Sequence, residues 1–194
     1  MTSESAPTRP EIEVKVWIAD RAALESKLPS LGFKLVTPET LERNILFDTQ
    51  DGELRRRGQL LRIRKYGDRW ILTHKAPSEN GPKSAHKIRL ETETEISNGE
   101  AMTTMLERLG YRRIFVYEKL RTEWSDGQGH LVMDVTPIGT FAELEGQAHW
   151  IDKTASCLEI SQTDYLTLSY GQLFQQWKSQ TGSLVNNMTF DEAG

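Results

Sequence analysis

The strongest constraint on the fold is an alternation of apolar and charged residues near the N-terminus. In the stretch EIEVKVWI, residues 11–18, the odd-numbered positions hold two glutamates, a lysine and a tryptophan. The even-numbered positions hold Ile12, Val14, Val16 and Ile18. A period of two is typical of a β-strand with one apolar and one polar face. The alternation returns in later segments, which predicts a sheet with one charged face.

Strands dominate the predicted secondary structure, with a few helices between them. The strand segments are residues 11–18, 42–49, 59–66, 69–75, 86–96, 112–124, 130–138 and 140–147. Helical spacing of apolar residues predicts helices over 21–32, 100–110 and 151–180. Because most turns are short, we expect an α+β fold with antiparallel pairing. We expect the last helix to be a lid or plug packed on the strands.

The length and composition favour one globular domain. The chain has 194 residues, of which 37% are hydrophobic and 27% charged. We expect a flexible lead over 1–10, a single domain over 11–180 and a flexible tail over 181–194. The formal net charge of -4 does not suggest binding to nucleic acid or to an anionic membrane. A single cysteine, Cys157, and no recognisable signal peptide favour a reducing cytoplasm.

On each predicted strand, alternate positions carry charged residues and would share one face of the sheet. Taken over all strands, these positions hold equal numbers of acids and bases. The seven acids are Glu11, Glu13, Glu91, Glu93, Asp134, Glu143 and Glu145. The seven bases are Lys15, Arg62, Arg64, Lys75, Arg89, Lys119 and Arg121. One interpretation is an open sheet whose polar face is simply solvated. The other is a closed barrel in which this face points inward and binds a highly charged ligand.

The residue types on this face indicate the chemistry of such a ligand. Clustered carboxylates without histidine or cysteine suit a hard cation such as Mg²⁺ or Mn²⁺. Arginines at i and i+2 present planar forks to phosphate oxygens, and lysines add point charges. Acids for a metal beside bases for phosphate describe a site for metal-bound polyphosphate. The chain has no P-loop signature, so side chains would have to hold the phosphates.

The motifs on these strands resemble those of the CYTH domain, the triphosphate tunnel metalloenzymes. This family includes class IV adenylyl cyclases, thiamine triphosphatases and inorganic triphosphatases. The matching elements, in order, are ExExK at 11–15, RxR at 62–64, the lysine Lys75, RxExE at 89–93, KxR at 119–121, Asp134 and ExE at 143–145. The resemblance runs from about residue 11 to 170.

The resemblance implies an eight-stranded antiparallel β-barrel tunnel with helices packed outside. It implies substrate binding by the basic residues, which are Lys15, Arg62, Arg64, Lys75, Arg89, Lys119 and Arg121. The implied ligands for Mg²⁺ or Mn²⁺ are Glu11, Glu13, Asp134, Glu143 and Glu145. Lys15, Glu91 and Glu93 are the catalytic candidates. Where many relatives carry a tyrosine in the second strand, this chain has Leu46, which counts against thiamine triphosphate as the substrate.

Several functions remain open at this stage. The first is metal-dependent hydrolysis of tripolyphosphate or of an organic or nucleoside triphosphate. The second is the class IV adenylyl cyclase reaction, which converts ATP to cyclic AMP and pyrophosphate. The third is a non-enzymatic polyphosphate-binding module, and the fourth is a solvated scaffold without a site. We expect a triphosphate-containing small molecule as the ligand, no nucleic-acid or membrane partner, and a monomer or a homodimer.

Overall fold

The fold is built mainly from strands. The computed structural model describes residues 9–78 and 85–194. Its strands are β1 (Arg9–Trp17), β2 (Lys34–Thr49), β3 (Leu60–Tyr66), β4 (Arg69–Pro77), β5 (Lys87–Ile96), β6 (Tyr111–Ser125), β7 (His130–Thr136) and β8 (Gly139–Glu145). β2 is longer than the predicted segment 42–49. Its first half is largely exposed, so it lacks the apolar alternation that would reveal it.

The strands close into an antiparallel barrel, which confirms the predicted fold class. Neighbouring strands follow the order β1-β5-β4-β3-β2-β6-β7-β8, and β8 pairs with β1. Antiparallel registers keep residues of one parity on one face of the sheet. Lys15 lies opposite Glu143, for example, and Glu13 lies opposite Glu145. The charged parity therefore lines the interior of the barrel.

Six α-helices accompany the barrel in the described ranges. They are α1 (Arg21–Lys27), α2 (Glu53–Arg56), α3 (Gly99–Arg108), α4 (Ala148–Cys157), α5 (Tyr170–Thr181) and α6 (Phe190–Ala193). Among the residues that the structure describes, no helix is both long enough and apolar enough to span a bilayer.

The apolar side chains that point outward from the barrel pack against these helices and form the hydrophobic core. Val14 of β1 and Leu144 of β8 are buried in one cluster with Ile151 of α4. A second cluster joins Ile63 of β3 to Leu106 of α3. Burial of these side chains is the main favourable contribution to folding. It leaves the opposite, charged parity to face the barrel interior.

α5 packs differently, because it closes one end of the barrel. Tyr117 and Phe141 have the inward parity, yet both are buried in a cluster with Tyr170 and Phe174 of α5. Phe115 stacks on Phe174 with the ring centroids 5.4 Å apart. α5 therefore forms a plug of aromatic side chains at one end of the interior.

The predicted single helix over 151–180 is wrong, because the chain turns sharply after α4. Glu159 adopts a left-handed φ of 64°. The amide of Ile160 donates to the carbonyl of Ala155, and the amide of Glu159 donates to that of Ser156. This hydrogen-bond pattern ends many helices, usually with a glycine at the left-handed position. A glutamate stands here instead, so the sequence lacks the usual stop signal.

The segment 181–194, for which the sequence suggests a flexible tail, packs on the barrel in the structure. Met188 is fully buried. Its amide donates to the carbonyl of Val116, and its carbonyl accepts a hydrogen bond from the amide of Glu118. The pairing of β6 with β7 begins only at Leu120, so these groups of β6 have no partner on β7. Buried backbone groups require hydrogen-bond partners, and the tail provides them.

The N-terminal boundary differs slightly from the expected one. The sequence suggests a flexible lead over 1–10, but β1 begins at Arg9. Residues 1–8 lie outside the described part of the chain. The packed region therefore extends beyond the expected domain, 11–180, at both ends.

Candidate active site

The charged residues selected by parity surround one cavity inside the barrel. Its volume is about 300 Å³, and it is lined by every predicted site residue except Asp134. The predicted residues on its walls are Glu11, Glu13, Lys15, Arg62, Arg64, Lys75, Arg89, Glu91, Glu93, Lys119, Arg121, Glu143 and Glu145. Because α5 closes one end of the barrel, a ligand would enter from the opposite end.

Asp134 is buried behind the cavity, where it is surrounded by donors. It accepts hydrogen bonds from Lys119 Nζ at 2.9 Å, from Arg121 Nε at 2.8 Å and from the Tyr170 hydroxyl at 2.6 Å. A second Arg121 nitrogen, Nη2, also donates to it at 2.7 Å. The geometry makes Asp134 a counter-ion of these bases, whereas the resemblance implies a metal ligand.

Glu42 of β2 is a buried acid that the sequence prediction missed. Its carboxylate lies 3.3 Å from Lys119 Nζ and 3.5 Å from Arg64 Nη1, and it is fully buried. Desolvation opposes ionisation, but Lys119 and Arg121 hold the pKa of Glu42 well below its usual range. Glu42 and Asn44 share the inward parity of β2, so the alternation test identifies them when it is applied to that strand.

Lys15 carries a buried ammonium group near the closed end. It forms an ion pair with Glu143, which also accepts a hydrogen bond from Arg121 Nη2 at 2.5 Å. Its Nζ lies 4.3 Å from the centroid of the Tyr170 ring. Desolvation disfavours the charge, but Glu143 and Glu13 raise the pKa of Lys15. Lys15 therefore stays protonated inside the barrel.

Arg62 and Arg64 project into the cavity from β3. Arg64 Nη2 donates to Glu93 Oε1 at 2.5 Å, and Arg62 Nη2 donates to the same oxygen at 3.3 Å. Within the described residues, the buried Nε atoms of both arginines have no hydrogen-bond partner. Unpartnered buried donors are costly, so they mark positions that an anionic ligand could satisfy. Arg89 differs, since its guanidinium donates to three backbone carbonyl groups.

Glu11 and Glu91 share the ammonium group of Lys75. Lys75 Nζ lies 2.5 Å from Glu11 and 3.2 Å from Glu91. Desolvation, together with the carboxylates of Glu11 and Glu93, outweighs Lys75 and raises the pKa of Glu91 to about 8. Glu91 can therefore gain or lose a proton close to neutral pH.

Glu13 and Glu145 lie opposite each other on β1 and β8. Desolvation opposes ionisation of Glu13, but Lys87, at 2.5 Å, and Lys15 lower its pKa to about 2. Glu145 has no ion pair with any described residue. Desolvation and the carboxylates of Glu11 and Glu13 raise the pKa of Glu145 to about 7. Carboxylates that repel one another in this way would be stabilised by a cation.

Two tyrosines bring hydroxyl groups to the cavity, and the sequence prediction assigned neither to the site. Tyr117 of β6 accepts a hydrogen bond from Arg62 at 3.3 Å, and Tyr170 of α5 donates to Asp134. Leu46, where the resemblance expects a tyrosine, packs against the apolar cluster that contains both. Parity along β6 identifies Tyr117, whereas the contact of Tyr170 depends on how α5 enters the barrel.

The carboxylates of the cavity are of the type that binds a hard divalent cation, but they do not converge on a single point. Within the described residues, no three His, Cys, Asp or Glu side chains lie close enough together to hold a metal ion. Glu11, Glu13 and Glu143 are each paired with a lysine. Carboxylate oxygens are the ligands that Mg²⁺ and Mn²⁺ prefer. An incoming ion would have to replace the ammonium groups.

Comparisons with known sequences agree with this architecture. The CYTH domain family matches residues 9–170. MJ0240 of Methanocaldococcus jannaschii, provisionally named as an adenylate cyclase, is 29% identical over 150 residues, or 77% of this chain and 83% of that protein. Adenylate cyclase CyaB of Aeromonas hydrophila is 29% identical over 149 residues, or 74% of this chain and 72% of that protein.

Solved structures share the fold. One from Vibrio parahaemolyticus, provisionally named as an adenylate cyclase, has a TM-score of 0.74 at 19% identity and covers 87% of this chain and 99% of that chain. HpAC1 of Hippeastrum, described as revealing a dominant triphosphatase activity, has a TM-score of 0.57 at 20% identity and covers 90% and 97%. With the family match over residues 9–170, the closed barrel and its charged lining, the chain belongs to the CYTH domain family.

Proposed function

We propose that the protein is a divalent-metal-dependent enzyme that binds a triphosphate inside the barrel and hydrolyses it. The substrate would be tripolyphosphate or an organic or nucleoside triphosphate. The observation that carries this proposal is the cavity lining. Buried arginines with unpartnered donors, lysines and mutually repelling carboxylates line one space of about 300 Å³.

Binding would exchange the partners of the charged groups. Without a ligand, the acids and bases neutralise each other across the cavity, as in the pairs of Lys15 with Glu143 and of Lys75 with Glu11. Phosphate oxygens compete for the bases, and the guanidinium forks of Arg62 and Arg64 match their geometry. The acids released in this way become available to a cation.

Glu11, Glu13, Glu143 and Glu145 are the residues that would hold the metal. When bound, Mg²⁺ or Mn²⁺ neutralises phosphate oxygens and orients the nucleophile. We place Asp134 with the bases, because donors from Lys119, Arg121 and Tyr170 already occupy it. Its role in this proposal is to hold Lys119 and Arg121 at the wall of the cavity.

Glu91 and Glu93 have different roles in the proposed hydrolysis. The oxygen of a water molecule bonds to the terminal phosphorus, and the bond from that phosphorus to the bridging oxygen breaks. Glu91, with a pKa of about 8, would accept the proton of that water in its ionised form, and the rest of the phosphate chain would leave with the bridging oxygen. Glu93 accepts hydrogen bonds from Arg62, Arg64 and Thr73, so it orients the arginines.

Adenylate cyclase activity is the second candidate, and the names of the sequence relatives favour it. The triphosphate would bind in the same way, but the ribose 3′-hydroxyl of ATP would be the nucleophile. Hydrolysis stands ahead because it requires no adenosine pocket. The description of HpAC1 also shows that a protein of this fold, named as a cyclase, can be mainly a triphosphatase.

Product analysis tests the proposal. Purified protein with Mg²⁺ or Mn²⁺ receives tripolyphosphate, ATP or thiamine triphosphate in separate reactions, beside a Glu13→Gln variant. Orthophosphate from tripolyphosphate, lost in the variant, supports the hydrolase. Cyclic AMP and pyrophosphate from ATP would instead establish the cyclase. Tight binding of tripolyphosphate without any turnover would leave only a binding module.

A further inference from the structure

α5 contacts Lys15 and Lys119, two lysines that line the closed end of the cavity, and the segment before α5 contacts Lys15. The segment is fixed first at the backbone. The amide of Leu166 donates to the carbonyl of Lys15 at 2.7 Å, and the amide of Lys15 donates to the carbonyl of Leu166 at 3.2 Å. α5 then begins at Tyr170, after an N-cap at Ser169 whose hydroxyl accepts a hydrogen bond from the amide of Gln172.

Tyr170 reaches from α5 into the charged lining. Its hydroxyl donates to Asp134 Oδ2 at 2.6 Å. Its ring centroid lies 4.3 Å from Lys15 Nζ and 4.8 Å from Lys119 Nζ. Both distances are within the range at which an ammonium group is attracted to an aromatic face. One side chain therefore contacts two bases and the counter-ion of one of them.

The ring of Tyr170 is itself held in place by aromatic neighbours. Phe141 meets it edge to face with centroids 5.7 Å apart, and the Tyr117 ring lies at 5.8 Å. Tyr170 is only 6% exposed. A side chain packed in this way has little freedom to move, so it can fix the positions of the lysines that it contacts.

We propose that Tyr170 is a positioning residue, which holds Lys15 and Lys119 where they can contact a triphosphate and makes α5 a part of the binding site. This inference rests on the proposed function. An aromatic ring suits the task because it attracts the ammonium groups without carrying a negative charge. A carboxylate in the same place would hold the lysines but would repel the phosphate.

The hydroxyl of Tyr170 has a separate effect from that of the ring. A phenylalanine would fill the same space, yet a buried hydroxyl is favourable only when it is hydrogen-bonded. Its partner, Asp134 Oδ2, also accepts from Lys119 at 2.9 Å. By fixing this carboxylate, the hydroxyl helps to fix the lysine that the carboxylate binds. The two parts of the side chain can therefore be tested apart.

The test measures tripolyphosphate affinity by calorimetry in EDTA, so that neither metal nor turnover enters the result. Tyr170→Leu removes the ring and the hydroxyl, and we expect the Kd to rise about tenfold or more. Tyr170→Phe keeps the ring, and we expect it to recover much of that loss, leaving a rise of about threefold. Because loss of packing alone would also make leucine more damaging than phenylalanine, the comparison requires a packing control on the same helix.

Trp177→Leu is the matched control on the same helix. Trp177 stacks on Phe174 with centroids 5.7 Å apart and does not line the cavity. We expect this change to lower stability while leaving the Kd within twofold of the wild-type value. The inference is overturned if Tyr170→Leu also stays within twofold, or if Trp177→Leu weakens binding as much as Tyr170→Leu does.

Turnover of tripolyphosphate with Mg²⁺, measured separately, distinguishes the two claims. A wild-type protein that binds tripolyphosphate but hydrolyses neither it nor ATP nor thiamine triphosphate would refute the proposed hydrolase, while the order of Kd values would still decide the role of Tyr170. Hydrolysis by the wild type with equal Kd values in all variants would refute only the role of Tyr170. A wild type that neither binds tripolyphosphate in EDTA nor hydrolyses it with Mg²⁺ would refute both, whereas one that hydrolyses it with Mg²⁺ without binding it in EDTA would refute only the role of Tyr170.

Discussion

Each buried charge in the cavity wall is stabilised by partners on other strands. Glu42 shows this most clearly, since it is fully buried and lies near Lys119, Arg121 and Arg64. Removing one member of such a group leaves the others buried without compensation, which is more damaging than losing an exposed ion pair. The energetic effect of a charge change should therefore depend on burial rather than on charge alone.

Glu42→Gln should destabilise the protein by about 3 kcal/mol, because Lys119 and Arg121 lose part of their compensating charge. The free energy of unfolding in urea measures this loss. Glu25→Gln is the matched control, since the pair of Glu25 with Arg21, at 3.0 Å, is partly exposed. We expect its effect to stay below about 1 kcal/mol. Equal losses in the two variants would contradict the assignment of Glu42 to a buried network.

The stability of the metal-free protein should fall as the pH rises from about 5 to 8. The pKa values of Glu91, about 8, and Glu145, about 7, lie above the ordinary glutamate value of 4.5. Between these values the folded state binds more protons than the unfolded state, so raising the pH removes stability. Thermal unfolding in EDTA across this range measures the slope. Glu145→Gln should flatten it, and a Tm that rises with pH would refute the assigned shifts.

At the scale of elements, two irregular segments form hydrogen bonds with backbone groups that the neighbouring strands leave unpaired. Leu166 pairs with the backbone of Lys15 on β1, and Met188 pairs with β6 at Val116 and Glu118. Leu166 lies within the predicted helix 151–180 and Met188 within the expected flexible tail, so neither pairing was predicted from the sequence. Their conformations depend on unpaired backbone groups that exist only once the barrel has formed.

Met188→Ala should cost about 2–3 kcal/mol of stability, because a fully buried side chain is lost from the cluster beside α5. Leu184→Ala is the matched control in the same C-terminal segment, since Leu184 is 90% exposed. We expect its effect to stay within about 0.5 kcal/mol. Chemical denaturation measures the free energy of unfolding of both variants. Equal losses would contradict the packing of this segment and favour the flexible tail that the sequence suggests.

At the scale of the whole molecule, parity along the strands is the property that made the lining of the cavity predictable. A closed barrel has one inside, so a single alternation test on each strand selects residues such as Lys15, Arg62 and Glu143 together. The same test, extended to β2, selects Glu42. It cannot select Tyr170, whose contact with Asp134 arises from the packing of a helix into the barrel. Helical spacing places Tyr170 on an apolar stripe and gives no sign of a polar partner.

The central claim is that triphosphate is hydrolysed inside the barrel. The most direct test compares two neighbouring basic residues, one facing the cavity and one facing outward. Arg64 projects into the cavity, whereas Lys65, next to it on β3, is exposed and lies 5.3 Å from the Trp70 ring. With Mg²⁺ or Mn²⁺ and tripolyphosphate, we expect Arg64→Met to lower kcat/KM by about 100-fold. We expect Lys65→Met to leave it within about twofold. Equal losses in both variants, or no loss in either, would contradict hydrolysis inside the barrel.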